Sequence, residues 1–172
     1  MEQINIVIAF YSRYCATERL ALSVGLGVLQ ARATPRFRRI PDLAPQSVID
    51  VDPEWKKNLA RMKIEYVAPR PGDPKLADVL VLVTPGDETT EVLQFATSLA
   101  TDGSLRGKIA APVCTKNREA SFAALSAALA PTGMTVVPPL VSDDPADAAR
   151  KHGIELVNMA RSAKSARAGS PS

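Results

Sequence analysis

A three-layer α/β domain with a parallel sheet at its centre is the architecture expected of this chain. Apolar strand-like runs alternate with helix-like periodic segments along most of its length. Residues 4–11 are apolar but for Asn5 and do not alternate, as a parallel strand buried on both faces would not. Five strands separated by helices call for right-handed crossovers. The length of 172 residues, with 46% hydrophobic and 23% charged, suits one domain with a sizeable core. That domain is expected to span residues 1–164, with residues 165–172 as a disordered tail.

Each element has its own signal. After the first strand, residues 18–31 carry Leu20, Ala21, Val24, Leu26 and Val28 at largely helical spacing, and Thr34-Pro35 closes the segment. The Gly25-x-Gly27 pair lies inside this helix instead of at its start, so it reads as close helix–sheet packing and not as a dinucleotide fingerprint. Residues 37–40 read as the second strand. Residues 41–74 are the loosest part, with a helix near 53–62 and then Pro69-Arg70-Pro71-Gly72-Asp73-Pro74; Trp55 reads as packing beneath this excursion. Alternation resumes with a strand at 78–84, a helix at 90–100, a strand at 108–114, a helix at 119–130 and a strand at 135–141. A closing helix runs from 145 to about 164, capped by Asp143-Asp144.

Charge and cysteine usage narrow the function classes. The formal charge of +3 is supplied by Arg161, Lys164 and Arg167 near the end of the chain, so the remaining body is neutral. Arg32, Arg36, Arg38 and Arg39 surround the second strand; with Phe37 as their lone aromatic and no wider basic field they read as protecting an edge strand, and no nucleic-acid partner is expected. No apolar run approaches the roughly 18 residues of a membrane span, and the start carries Glu2 where a signal peptide is basic. A cytoplasmic protein with no membrane partner is the expectation. Cys15 and Cys114 are too few for a disulfide framework and lack metal-ligand spacing, so free thiols and no metal are expected.

Ligands of such a sheet bind beyond the C-terminal ends of its strands. This rule selects residues 12–17, 84–90 and 114–118. The first segment, Ser12-Arg13-Tyr14-Cys15-Ala16-Thr17, is a hydroxyl-bearing loop at the N-terminus of a helix, a place suited to a phosphate. Glycine commonly lets the backbone approach in such loops, and here Cys15 holds the central position.

The stretch Tyr11-Ser12-x-Tyr14-x-x-Thr17-Glu18 after a strand resembles flavodoxin-like proteins, and within them the WrbA group of FMN-dependent NAD(P)H:quinone oxidoreductases. The resemblance continues at Val67-Ala68-Pro69, Leu76-Ala77-Asp78, Thr84-Pro85, Leu105-x-Gly107-Lys108 and Ala149-Arg150-x-x-Gly153. It implies a three-layer, flavodoxin-like sandwich with a five-stranded parallel sheet of order 2-1-3-4-5. It also implies FMN as cofactor, NAD(P)H as co-substrate, a quinone or similar small-molecule electron acceptor, and a homo-oligomer, a dimer sooner than a tetramer. The FMN phosphate would be wrapped by Ser12, Arg13, Tyr14, Cys15, Ala16 and Thr17. Pro85, Gly86, Asp87, Thr89, Thr90, Thr115, Lys116 and Asn117 would surround the ring. No catalytic residue is assigned.

The chain departs from that group in several places. Cys15 replaces a glycine, and its side chain either turns away or narrows the cradle. Asp87 and Glu88 stand where carboxylates oppose an anionic reduced ring, and Asp87 reads better as a helix cap ahead of Thr90 and Glu91. No glycine occurs between Lys108 and Thr132, where the group is glycine-rich, although Lys116 and Arg118 offer positive charge. The group's long excursion after the fifth strand is missing. A flavodoxin-like domain that has lost its flavin and serves as a binding or assembly module is therefore the alternative. His152 lies in the closing helix, far along the chain from the three loops; it reads as a surface or interface residue, and Ser-His-Asp catalysis has no support.

Overall fold

A computed structural model describes residues 2–86, 90–114, 116, 118–140 and 144–169. The central sheet comprises β1 (Asn5–Phe10), β2 (Thr34–Arg39), β3 (Val79–Thr84), β4 (Ile109–Cys114) and β5 (Thr135–Val136). All pairings are parallel and the order is β2-β1-β3-β4-β5, as expected. Every residue of β3 and β4 is buried, which accounts for sequences that are apolar but for Thr84 at the end of β3.

Alternate side chains of the central strands enter two cores. Ile6, Ile8, Phe10, Val81, Val83 and Val113 meet α1 (Ala16–Gln30) and α7 (Pro145–Ala168) on one face. Val7, Ala9, Leu80, Leu82 and Ala110 meet α5 (Thr90–Ser98) and α6 (Arg118–Leu129) on the other. Helices α1 and α7 pack backbone to backbone: a Cβ on Gly27 would stand 1.8 Å from the Arg150 carbonyl oxygen, and one on Gly153 would stand 2.2 Å from that of Val24. Gly25 does pack on the sheet, against the Phe37 ring, whereas Gly27 serves a helix–helix contact.

Both edge strands differ from expectation, and proline chemistry explains why. β2 begins at Thr34 because Asn5 pairs with Thr34 and Pro35 is tolerated where its missing donor is not needed. β5 stops at Val136: Val137 still donates to Ala110 (2.8 Å), but Pro138-Pro139 carries no N–H to extend the ladder. The β2 arginines are drawn into local pairs, Arg38 with Asp73 (2.7 Å) and Arg39 with Asp42.

Between β2 and β3 lie α2 (Gln46–Ile49), α3 (Pro53–Glu65) and α4 (Asp73–Leu76). α3 packs on the α1 side at the β2 edge; Met62 enters the main core, and Trp55 and Leu59 join Ile49 in a small cluster of their own. Asp52 caps α3 by accepting from the Glu54 and Trp55 amides, both at 3.0 Å, and Pro53 opens its first turn.

The closing helix is longer than expected. It continues to Ala168, so residues 165–168 are helical instead of disordered tail. Its basic side chains tie it to the body: Arg161 donates to the Ala31 carbonyl (2.6 Å), Lys164 pairs with Asp78 (3.0 Å), and Arg167 donates to the Gly107 carbonyl. Asp144 caps its start. No described helix is long and apolar enough to cross a membrane.

Candidate functional site at the sheet edge

Phe10 pairs with Val83 and Thr84 with Cys114, so the loops after β1, β3 and β4 share one edge of the sheet. The first loop is held from outside by the excursion. The Tyr11 hydroxyl donates to Asp42 (3.1 Å) and accepts from Arg13 Nε (2.8 Å). Asp42 also accepts from Trp55 Nε1 (3.1 Å) and from Arg39. The Arg13 guanidinium lies 4.2 Å from the Trp55 ring centroid, a cation–π contact. Burial pushes the Tyr11 hydroxyl well above its ordinary range, against the opposing hydrogen bond of Arg13.

The tip of the loop is tied to α3. Tyr14 donates to Asp52, and this hydrogen bond, with those from the capped amides, holds the Asp52 carboxyl below its usual value. Cys15 takes the left-handed conformation (φ 38°) that glycine adopts freely. Its thiol turns to α3, within 3.2–3.3 Å of the Asn58 side-chain amide and 3.8 Å from Arg61. Asn58 Nδ2 also donates to the Arg13 carbonyl (3.0 Å). In the first turn of α1, the buried Glu18 accepts from Arg61 (2.6 and 2.9 Å) and from Tyr66 (2.7 Å). Arg61 is the main reason its carboxyl lies below the usual range despite burial.

Two polar features in this loop lack a side-chain partner among the described residues. Ser12 is 1% exposed, and its hydroxyl makes no hydrogen bond among the described residues. α1 also has no side-chain cap, whereas carboxylates cap α3 and α7. Thr17 is buried beside them. A buried hydroxyl and the first-turn amides of a long helix that no side chain caps are donors that suit an anion.

The second and third loops meet each other. Gly86 has φ 94°, and a Cβ there would lie 1.9 Å from the Lys116 carbonyl oxygen. The Gly86 amide reaches Thr84 Oγ1 (3.4 Å), and its carbonyl accepts from Ser121 (3.3 Å). Pro85 precedes Gly86, Thr90 opens α5, and Lys116 is exposed on the third loop. Asp87, Thr89, Thr115 and Asn117 lie outside the described residues. Arg118 donates to the Leu140 carbonyl (3.0 Å), bracing the segment after β5. Cys114 is buried, and burial pushes its thiol pKa up.

Sequence reasoning missed the contributions of Asp42, Asp52, Asn58 and Arg61. The helix near 53–62 was read, but nothing local connects it with a loop more than 35 residues away. Trp55 is buried as expected, and also supports Arg13. His152 is corrected: it is 5% exposed, not a surface residue, and its Nε2 has no partner among the described residues. Burial lowers its pKa, opposed by Glu155 at 3.8 Å. No group of three or more metal-binding side chains occurs among the described residues.

Sheet order, layers and the edge site define a flavodoxin-like fold. The chain is similar to the WrbA-like flavodoxin of Agrobacterium tumefaciens, at 16% identity over 93% of this chain and 99% of that one, with a TM-score of 0.59. It is also similar to a diflavin flavoprotein from Nostoc sp. (11% identity, 97% and 99% covered, TM-score 0.60). A third similar structure is a flavodoxin of Megasphaera elsdenii (17% identity, 87% and 98% covered, TM-score 0.52). At these identities the likeness is one of fold. No protein-family model and no curated protein matches the chain.

Proposed function

We propose that this chain binds FMN at the sheet edge and acts as an NAD(P)H-dependent oxidoreductase on quinones or similar small acceptors. The observation that carries the reading is a buried Ser12 hydroxyl with no hydrogen-bond partner among the described residues, set beside an α1 N-terminus that no side chain caps, at the end of β1. Both are donors suited to a phosphate, and Thr17 adjoins them. The similar structures are flavodoxins and flavoproteins, which supports a flavin as the phosphate's owner.

In this reading Ser12, Thr17 and the backbone of residues 13–16 hold the phosphate, while the Arg13, Tyr14 and Cys15 side chains fix the loop's shape through the excursion. Pro85, Gly86, Thr90 and Lys116, with Asp87, Thr89, Thr115 and Asn117 of the same loops, border the ring. Lys116 contributes positive charge to that edge. Bound flavin supplies hydride and electron transfer; the chain supplies orientation and electrostatics. A homodimer completes the reading.

A second reading, a cofactor-free binding or assembly module, is favoured by one observation: all three side chains at the loop's tip already have protein partners. Reconstitution with FMN followed by assay of NADH or NADPH oxidation with a quinone separates the two. Turnover that requires added FMN supports the oxidoreductase. Folded protein with neither flavin retention nor turnover supports the module.

A further inference from the structure

We propose that Asn58 is a positioning residue for the phosphate loop, acting through Cys15. This rests on the flavin reading above and specifies how its loop is set. Cys15 stands at the junction of loop and helix with φ 38°, a conformation that a residue with a Cβ adopts only when its surroundings hold it. Here the nearest hold on the Cys15 thiol is the Asn58 side-chain amide, with Arg61 farther off at 3.8 Å. Asn58 is 8% exposed. It donates to the Arg13 carbonyl at 3.0 Å and makes mutual contact with the Cys15 thiol at 3.2 and 3.3 Å. It therefore grips the loop two residues apart, on either side of Tyr14.

Asn58 is itself fixed. Arg61, one helical turn on, donates to its Oδ1 at 3.1 Å and is anchored by the buried Glu18 in the first turn of α1. Asn58, Arg61 and Glu18 thus join α3 to the helix whose N-terminal amides would face the phosphate. The link explains how a cysteine can occupy a position suited to glycine without the loop relaxing: thiol and amide supply the restraint that a bare glycine would lack. Asn58 touches no phosphate in this account; its effect travels through the backbone of residues 13–15.

The test is a cycle of Asn58→Ala and Cys15→Gly with two readouts, FMN affinity and the rate at which iodoacetamide alkylates Cys15, followed by peptide mass mapping to separate it from Cys114. Asn58→Ala is expected to weaken FMN binding about tenfold, the size of two lost buried hydrogen bonds. In the Cys15→Gly background the same change is expected to cost about threefold or less, because the contacts with the thiol are already gone and, of the bonds Asn58 makes to the loop, the one to the Arg13 carbonyl remains to be lost. Alkylation of Cys15 is expected to quicken at least fivefold in Asn58→Ala. Equal losses of affinity in both backgrounds, or an unchanged alkylation rate, overturn the proposal. If the parent chain takes up no FMN, the flavin reading falls and the alkylation rate alone decides the role of Asn58. Should Asn58→Ala not fold, Asn58→Ser carries the same series.

Discussion

Replacing Ser12 by alanine should move stability and affinity in opposite directions. In the ligand-free chain the Ser12 hydroxyl is buried and makes no hydrogen bond among the described residues. Such a group carries an unrecovered desolvation cost of about 1–3 kcal/mol. Removing it should return about 1 kcal/mol, the low end, since alanine leaves a small gap where the oxygen was. For a chain of this size that raises Tm by about 2–4 °C. With FMN present, the same substitution deletes a donor to a charged phosphate, a bond worth about 1.5–3 kcal/mol, so affinity should fall roughly 10- to 150-fold. Scanning fluorimetry without ligand and a flavin titration measure the two effects. A lower Tm with unchanged affinity would refute the reasoning, because Ser12 would then be an ordinary, satisfied core hydroxyl.

Other substitutions probe the body of the fold. His152 is buried with its pKa lowered from 6.5, so the unfolded chain takes up the proton first; its contribution is complete above that value and lost as pH falls below it. Urea midpoints should therefore drop between about pH 7 and 5 in the parent and stay flatter in His152→Leu, and parallel curves would contradict this. Gly27→Ala sets a Cβ 1.8 Å from the Arg150 carbonyl oxygen and must push α1 and α7 apart. The expected cost is about 2–3 kcal/mol, a loss of about 4–12 °C in Tm. Gly72→Ala, with nothing within 4 Å of its Cβ, should stay within about 0.5 kcal/mol of the parent. Matching Tm changes for the two glycines would show that the α1–α7 contact is looser than described.

How far the sequence could be read depended on where the determining contacts lie. β1, β3 and β4 announce themselves because burial on both faces makes their central residues apolar, and the alternation with helices marks a parallel sheet, whose strand order came from the flavodoxin-like resemblance. The edge strands were misjudged in length because a proline's effect depends on which neighbour needs its amide: Pro35 is harmless in β2, and Pro138-Pro139 ends β5. The burial of His152 was missed although it shares the helical spacing of Ala149, Gly153, Leu156 and Ala160, which form the buried face of α7. At the edge site, the Ser12-to-Thr17 loop could be read from strand, hydroxyls and helix start. The hold of Asn58 on Cys15 could not, because it joins residues 43 apart in the chain and has no periodic signature. The outward turn of the thiol, left open by sequence, follows from that contact.

The most direct test is a titration of the purified, folded chain with FMN, read by quenching of flavin fluorescence and by the shift in Tm. The account predicts a micromolar or tighter dissociation constant and a stabilisation that grows with ligand, about 2.7 kcal/mol at one hundred times that constant. Absence of quenching and of any Tm shift at tens of micromolar FMN would contradict it and leave the flavodoxin-like fold without a flavin.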